Sequence, residues 1–193
     1  MVTAMARFRF RRLFRPFNRL AGDRSGVSAV EFALILPIML TLYLGGNEIG
    51  TALTISRKVT HVTSSLSDLA AQSKTITNTD MTNILNAASA VVAPYKVANL
   101  KVTVSSVKVD ANKVATVAWS DALNTTARSR GSSVTLPASL LVASSTVIWA
   151  EAQYSYTPAI GYMITGTMKL SDQLYMKPRI QDPLCRVGAT TVC

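Results

Sequence analysis

The run from Val27 to Gly46 constrains this chain more than any other feature. It is twenty residues long, and Glu31 is its only side chain charged at neutral pH. At about 1.5 Å per residue, some twenty helical residues cover a hydrocarbon core of about 30 Å, so the run reads as one transmembrane helix. Upstream, residues 1–26 hold Arg7, Arg9, Arg11, Arg12, Arg15, Arg19 and Arg24 against one acid, Asp23. Arginines beside a span stay on the cytoplasmic side, which places residues 1–26 inside and the C-terminal part outside. The formal net charge of +10 is therefore mostly a property of this arm. An arm abutting a membrane span already has a use for its charge, so nucleic acid is not among the expected partners.

A carboxylate within an apolar segment is costly unless paired, which makes Glu31 a functional residue by default. A cleaved secretory signal does not account for it. The apolar core is too long and ends in "LGGNEIG", without a small-x-small site. A twin-arginine signal fits "RRLF" at 11–14 poorly, because "NRLAGDRSG" separates it from the apolar run. The segment resembles instead the start of type IV prepilins. These are cut on the cytoplasmic side after a glycine that follows a basic leader, and glutamate is the fifth residue of the new N-terminus. Cutting after Gly26 makes Val27 the first residue and Glu31 the fifth. Glycine suits such a site because, lacking a Cβ, it lets an extended backbone enter a protease.

The longer stretch "GVSAVEFALILPIMLTLYLGGNEIG" resembles the signature of TadE/TadG-like proteins of the tight adherence (Flp) pilus system. Its marks are Glu31-Phe32-Ala33, an aliphatic run broken by Pro37, and a second acid, Glu48. The resemblance implies a minor pseudopilin processed by the prepilin peptidase. Its implied partners are other minor pseudopilins, the major Flp pilin, the inner-membrane assembly platform and membrane lipid. It also implies that Glu31 pairs with the free α-amine of a neighbouring subunit. The chain is too short for the large adhesive domain of TadG-type members, which favours the TadE or TadF type. The implied location is the bacterial inner membrane, with a periplasmic C-terminal domain and a possible place in a surface pilus.

Beyond the span the helical period continues. Ile49, Ala52, Ile55, Val59, Val62, Leu66 and Leu69 recur in steps of three and four, one face of a helix reaching about Gln72. This predicts a pilin-like spine of about 69 Å. A second helix is expected over 77–94, capped by Asn78 or Thr79 and stopped by Pro94. "LKVTVSSVKVD" (100–110) alternates, but its apolar phase changes from Val102/Val104 to Val107/Val109, which a bulge near Ser105–Ser106 would explain. "VATVAWS" (114–120) completes a hairpin, with Ala115, Val117 and Trp119 on one face. Residues 121–135 read as an exposed loop in which Arg128 and Arg130 are solvated. A short helix follows Pro137, a third strand covers 146–156, and a fourth lies within 164–176.

The expected class is α+β: one long N-terminal helix, transmembrane and then periplasmic, and a second helix packed on a small antiparallel sheet of three to four strands. Its parts are a leader (1–26), a span (27–46), a periplasmic helix (47–72) and an α+β domain (73–193). Cys185 and Cys193 close a short tail loop as a disulfide or remain free thiols; spacing leaves both open. Metal-ligand clusters, phosphate loops and nucleophile–base pairs are not evident, so neither an enzyme nor a cofactor is expected. His61 reads as exposed. The competing function is an uncleaved single-pass envelope protein whose outer domain binds a partner.

Overall fold

The computed structural model describes residues 25–159, 166–188 and 190–193. Residues 1–24 of the basic leader (1–26) lie outside them, as do residues 164–165 at the start of the fourth expected strand. The chain divides into two compact units, Met1–Gly45 and Gly46–Cys193.

The first helix, α1 (Ser25–Ala71), is 47 residues long and unbroken through Pro37. It is long and apolar enough to cross a membrane. In the first unit its large apolar side chains, from Val27 to Tyr43, are 40–74% exposed. A helix apolar on every side is expected in lipid or in a large core. Pro37 removes one helical N–H, and the Thr41 hydroxyl donates to the Pro37 carbonyl at 2.7 Å.

In the second unit α1 turns a buried stripe inward: Ile55, Val59, Val62, Leu66 and Ala70. Each of the larger side chains contributes roughly 1.5–3 kcal/mol by leaving water. Two residues expected on that face are outside it, since Ile49 is 63% and Leu69 42% exposed. The buried band advances in steps of four, Val59–Thr63 and Ser67–Ala71 beside Val62–Leu66–Ala70, all of them buried. Steps of four drift around a helix with 3.6 residues per turn, so the band rotates away from Leu69. Ile49 precedes the first buried position. His61 is exposed.

The second helix, α2 (Asn78–Val92), is capped by Thr77, one residue before the earliest position expected. The Thr77 hydroxyl accepts from the Asp80 N–H at 3.2 Å, and the Asp80 carboxylate accepts from the Thr77 N–H at 2.9 Å. This reciprocal box satisfies donors that a helix start leaves open. At the far end, Lys58 of α1 donates to the carbonyls of Val91 and Ala93 at 3.0 and 2.7 Å. A cation on the last carbonyls also suits the helix dipole.

Three short strands, β1 (Thr75–Ile76) and later β6 (Cys185–Val187) and β7 (Thr191–Val192), form a small sheet in the order β1-β6-β7. The main sheet is antiparallel, with β2 (Leu100–Val109), β3 (Ala115–Leu123), β4 (Ser145–Tyr156) and β5 (Met168–Met176) in the order β3-β2-β4-β5. The fold is thus α+β, as expected, with the three-stranded sheet as an addition. After Pro137 there is a 3-10 turn, Ala138–Leu140, in place of a helix.

The apolar phase change in β2 has a cause other than a bulge in that strand. Against β4, β2 keeps one register from Leu100 to Val109. The irregularity lies against β3, where Ser106 faces Trp119 and Val107 faces Val117, so the extra residue is Ala118. The bulge puts Trp119 on the opposite face from Val117 and Ala115, which corrects the expected grouping. What changes along β2 is the cover. Val102 and Val104 belong to the core shared with α1 and α2. Val107 and Val109 point the other way, into a second core with Ala115, Val147 and Leu136. The sheet is packed on both faces, each over part of its length.

Candidate functional site

Gly26, Val27, Glu31 and Phe32 all lie in the exposed first turns of α1. A Cβ placed on Gly26 would meet no atom within 4 Å. Gly26 is the second residue of α1, and no described atom crowds it. Glu31 follows Val27 by four residues, which puts their side chains on one helix face. It has no hydrogen-bonding partner among the described residues. Phe32 is 65% exposed.

Glu48 has a different setting, wholly within the second unit. Its carboxylate accepts from the Tyr156 hydroxyl at the end of β4 and, at 2.9 Å, from the Ala159 N–H. Burial pushes the Tyr156 phenol up to about 12, and the Glu48 carboxylate adds to the shift by holding the neutral form and repelling the phenolate. Thr157 and Thr167, the flanks of the β4–β5 connection, share a hydroxyl hydrogen bond of 3.0 Å. The acid that the sequence marks only as part of a signature thus ties the helix to the last turn of the sheet.

Residues 26–65 match the family of TadE-like proteins. This stretch is TadE-like. The matched segment opens at Gly26 and contains Glu31, Phe32, Pro37 and Glu48, and it is consistent with a TadE/TadG-like protein of the Tad pilus system. No curated protein and no solved structure matches the chain. The TadE-like segment ends inside α1, so the sheet and the tail are described by their own contacts.

In the tail, Cys185 and Cys193 are joined in a disulfide. It closes a strap that is built into the domain. The Trp119 indole donates to the Leu184 carbonyl at 2.9 Å, and Leu184 is fully buried. Arg186 pairs with Asp121 at 2.9 Å and donates to the Ile76 carbonyl at 3.2 Å.

Arg128, expected to be solvated, is held on the outer face of the sheet. Its guanidinium lies 3.8 Å from the Trp149 ring centroid, pairs with Glu151 and donates to Ser105 at 3.2 Å. Stacking, ion pairing and hydrogen bonding together hold it half-buried against the sheet. The expected loop also begins later, because residues 121–123 belong to β3. Glu151 and Asp172 lie on neighbouring strands, but the carboxylate of Glu151 is engaged by Arg128. Among the described residues no group of histidine, cysteine and acids could hold a metal ion.

Proposed function

We propose that the chain is a minor pseudopilin of the TadE or TadF type, cut after Gly26 by the prepilin peptidase and working in Flp/Tad pilus assembly or initiation. One observation carries the reading: a TadE-like segment opens at a glycine whose missing Cβ would meet no described atom within 4 Å, with an acid, Glu31, one helical turn beyond the next residue and without a hydrogen-bonding partner among the described residues. A protease recognition site accounts for the glycine, and a pairing partner in an assembly accounts for the acid. The protein acts by packing its exposed apolar helix against other helices, and it is an enzyme's substrate rather than an enzyme. The arm stays cytoplasmic and the α+β domain lies in the periplasm. Its partners are the peptidase, other minor pseudopilins, the major Flp pilin and the assembly platform.

The test is the N-terminus and mass of the membrane-extracted protein from cells with and without the peptidase. A start at Val27 only when the peptidase is present supports the proposal. An intact arm in both strains overturns it and favours a permanent membrane anchor. Glu31→Ala tests the pairing separately. Processing should continue while assembly falls, and normal pilus output would remove the pairing role.

A further inference from the structure

Glu48 ties the end of the main sheet to a known depth on α1. It lies two residues past Gly46, where the apolar run ends, which is about 3 Å of helix rise. The headgroup layer on each side of a bilayer is about 5–8 Å deep, given a hydrocarbon core of about 30 Å within a full thickness of about 40–45 Å. Glu48 therefore belongs at headgroup depth. Its carboxylate accepts from the Tyr156 hydroxyl and the Ala159 N–H, at and just beyond the end of β4. That contact brings the end of the sheet down to the same layer. Thr157 and Thr167, the hydrogen-bonded flanks of the β4–β5 connection, come with it.

The side chains at this end suit a lipid surface. Ile49 and Leu53 lie one turn apart on a single helix face. They are 63% and 56% exposed, within the 40–74% of the span itself. From Phe32 to Ser56 the only charged side chain of α1 is Glu48, and its carboxylate is engaged. Tyr95 packs edge-on against Tyr154 at 6.3 Å, so two half-buried tyrosines, Tyr95 and Tyr156, stand at this end. Tyrosine is enriched where one end of a side chain is apolar and the other wet. Lysines complete the rim. Lys96 precedes the turn into β2, Lys101 is the second residue of β2, and Lys169 is the second residue of β5. Both strands begin where β4 ends, and all three lysines are exposed. Over residues 46–53, 95–101, 153–159 and 166–171, Glu48 is the only acid. Continuity with the span and this basic rim select an anionic lipid surface over a protein partner.

We infer that the membrane-side end of the α+β domain docks on the headgroups of anionic lipid, with Ile49 and Leu53 in the interface and Lys96, Lys101 and Lys169 on the lipid phosphates. The inference rests on α1 crossing a bilayer, and the test reads that crossing separately.

The test uses the full chain, one copy per lipid nanodisc, with the Cys185–Cys193 disulfide left oxidised. An environment-sensitive fluorophore is placed on Leu40→Cys, Ile49→Cys, Leu53→Cys, Thr60→Cys or Thr167→Cys, one at a time. Each probe is challenged with a quencher carried by the lipid and with aqueous iodide, in discs of phosphatidylcholine with and without phosphatidylglycerol. The probes at Ile49 and Leu53 should answer to the lipid quencher and resist iodide, while the exposed Thr60 answers to iodide. The probe at Thr167 should answer to the lipid quencher when phosphatidylglycerol is present. Salt at about 1 M, where the Debye length is about 3 Å, should lower that response by about twofold or more. Lys96→Glu with Lys169→Glu should lower it as far at low salt. Iodide quenching at Ile49 and Leu53 equal to that at Thr60 overturns the inference. So does a Thr167 response indifferent to phosphatidylglycerol, salt and charge reversal alike. Shielding of Ile49 and Leu53 from both quenchers means that protein covers them, and the lipid assignment fails. A probe at Leu40 open to iodide overturns the span itself, a failure distinct from the others.

Discussion

Tyr156→Phe deletes one hydroxyl from the contact with Glu48 and keeps the ring. A hydrogen bond to a charged group contributes about 1.5–3 kcal/mol net. The low end applies here, because both residues are partly exposed and the carboxylate keeps the Ala159 N–H at 2.9 Å. The expected loss is therefore about 1.5 kcal/mol, or about 3–6 °C in the unfolding midpoint of a domain of this size. Thermal unfolding of the full chain in detergent, followed by tryptophan fluorescence, measures it, because Trp119 and Trp149 both lie in the main sheet. Glu48→Ala and the double variant complete a cycle, with an expected coupling of about 1 kcal/mol. The pH dependence gives a second reading of the same contact. The phenol's value is near 10 in the unfolded chain and about 12 in the folded one. Between those values the folded state holds more protons than the unfolded state, so stability is intact below pH 10 and falls as pH rises toward 12. Tyr156→Phe should remove that component of the decline. Strictly additive single variants, with an unchanged alkaline slope, would refute the argument that Glu48 fastens helix to sheet.

Three further outcomes follow from contacts elsewhere. Thr77→Ala removes the cap of α2 and should cost about 1 kcal/mol. The Asp80 carboxyl, held low first by the Thr77 side chain and then by its backbone N–H, should titrate closer to its usual range in that variant, visible by carboxyl NMR. The stability linked to Asp80, present at neutral pH and lost as pH falls, should shrink with it. Lys58→Met leaves the Val91 and Ala93 carbonyls without their cation, and amide hydrogen exchange should accelerate in the last turn of α2 ahead of the main sheet. Replacing Cys185 and Cys193 together by Ser opens the strap, with an expected loss of about 2–3 kcal/mol from loop closure. A denaturant midpoint indifferent to both the double substitution and a reductant would show that the strap holds without the bond.

The long helix and the main strands were legible because their patterns run for many residues. Steps of three and four identify α1, and alternation identifies β2 and β4. The same periodicity misplaces Leu69, since it registers which residues are apolar and carries no trace of how the buried band drifts around the helix. The cap of α2 had a signal, Thr77 with an acid at Asp80, that lies one residue ahead of the expected start. β1 has two residues and pairs with Cys185 and Arg186, over a hundred positions later, so it has no period of its own. At the candidate site, Gly26, Glu31 and Glu48 stand out as chemistry within an apolar run. Tyr156, 108 residues beyond Glu48, looks like any strand tyrosine. Arg128 looked solvated because its partners, Ser105, Trp149 and Glu151, come from two different strands.

The divided service of β2 also bears on how its alignment is proofread. A strand packed on one face can slip by two residues and still offer apolar side chains to the same side. Here Val102 and Val104 serve one side and Val107 and Val109 the other. A slip of one residue against β4 would turn Thr103 toward the helices and Lys108 into the second core. A slip of two would seat Ser105 in the Val107 position in one direction, or Ser106 in the Val104 position in the other. Each error puts a polar side chain into one core or the other, so β2 works as a two-toothed key with a single seated position.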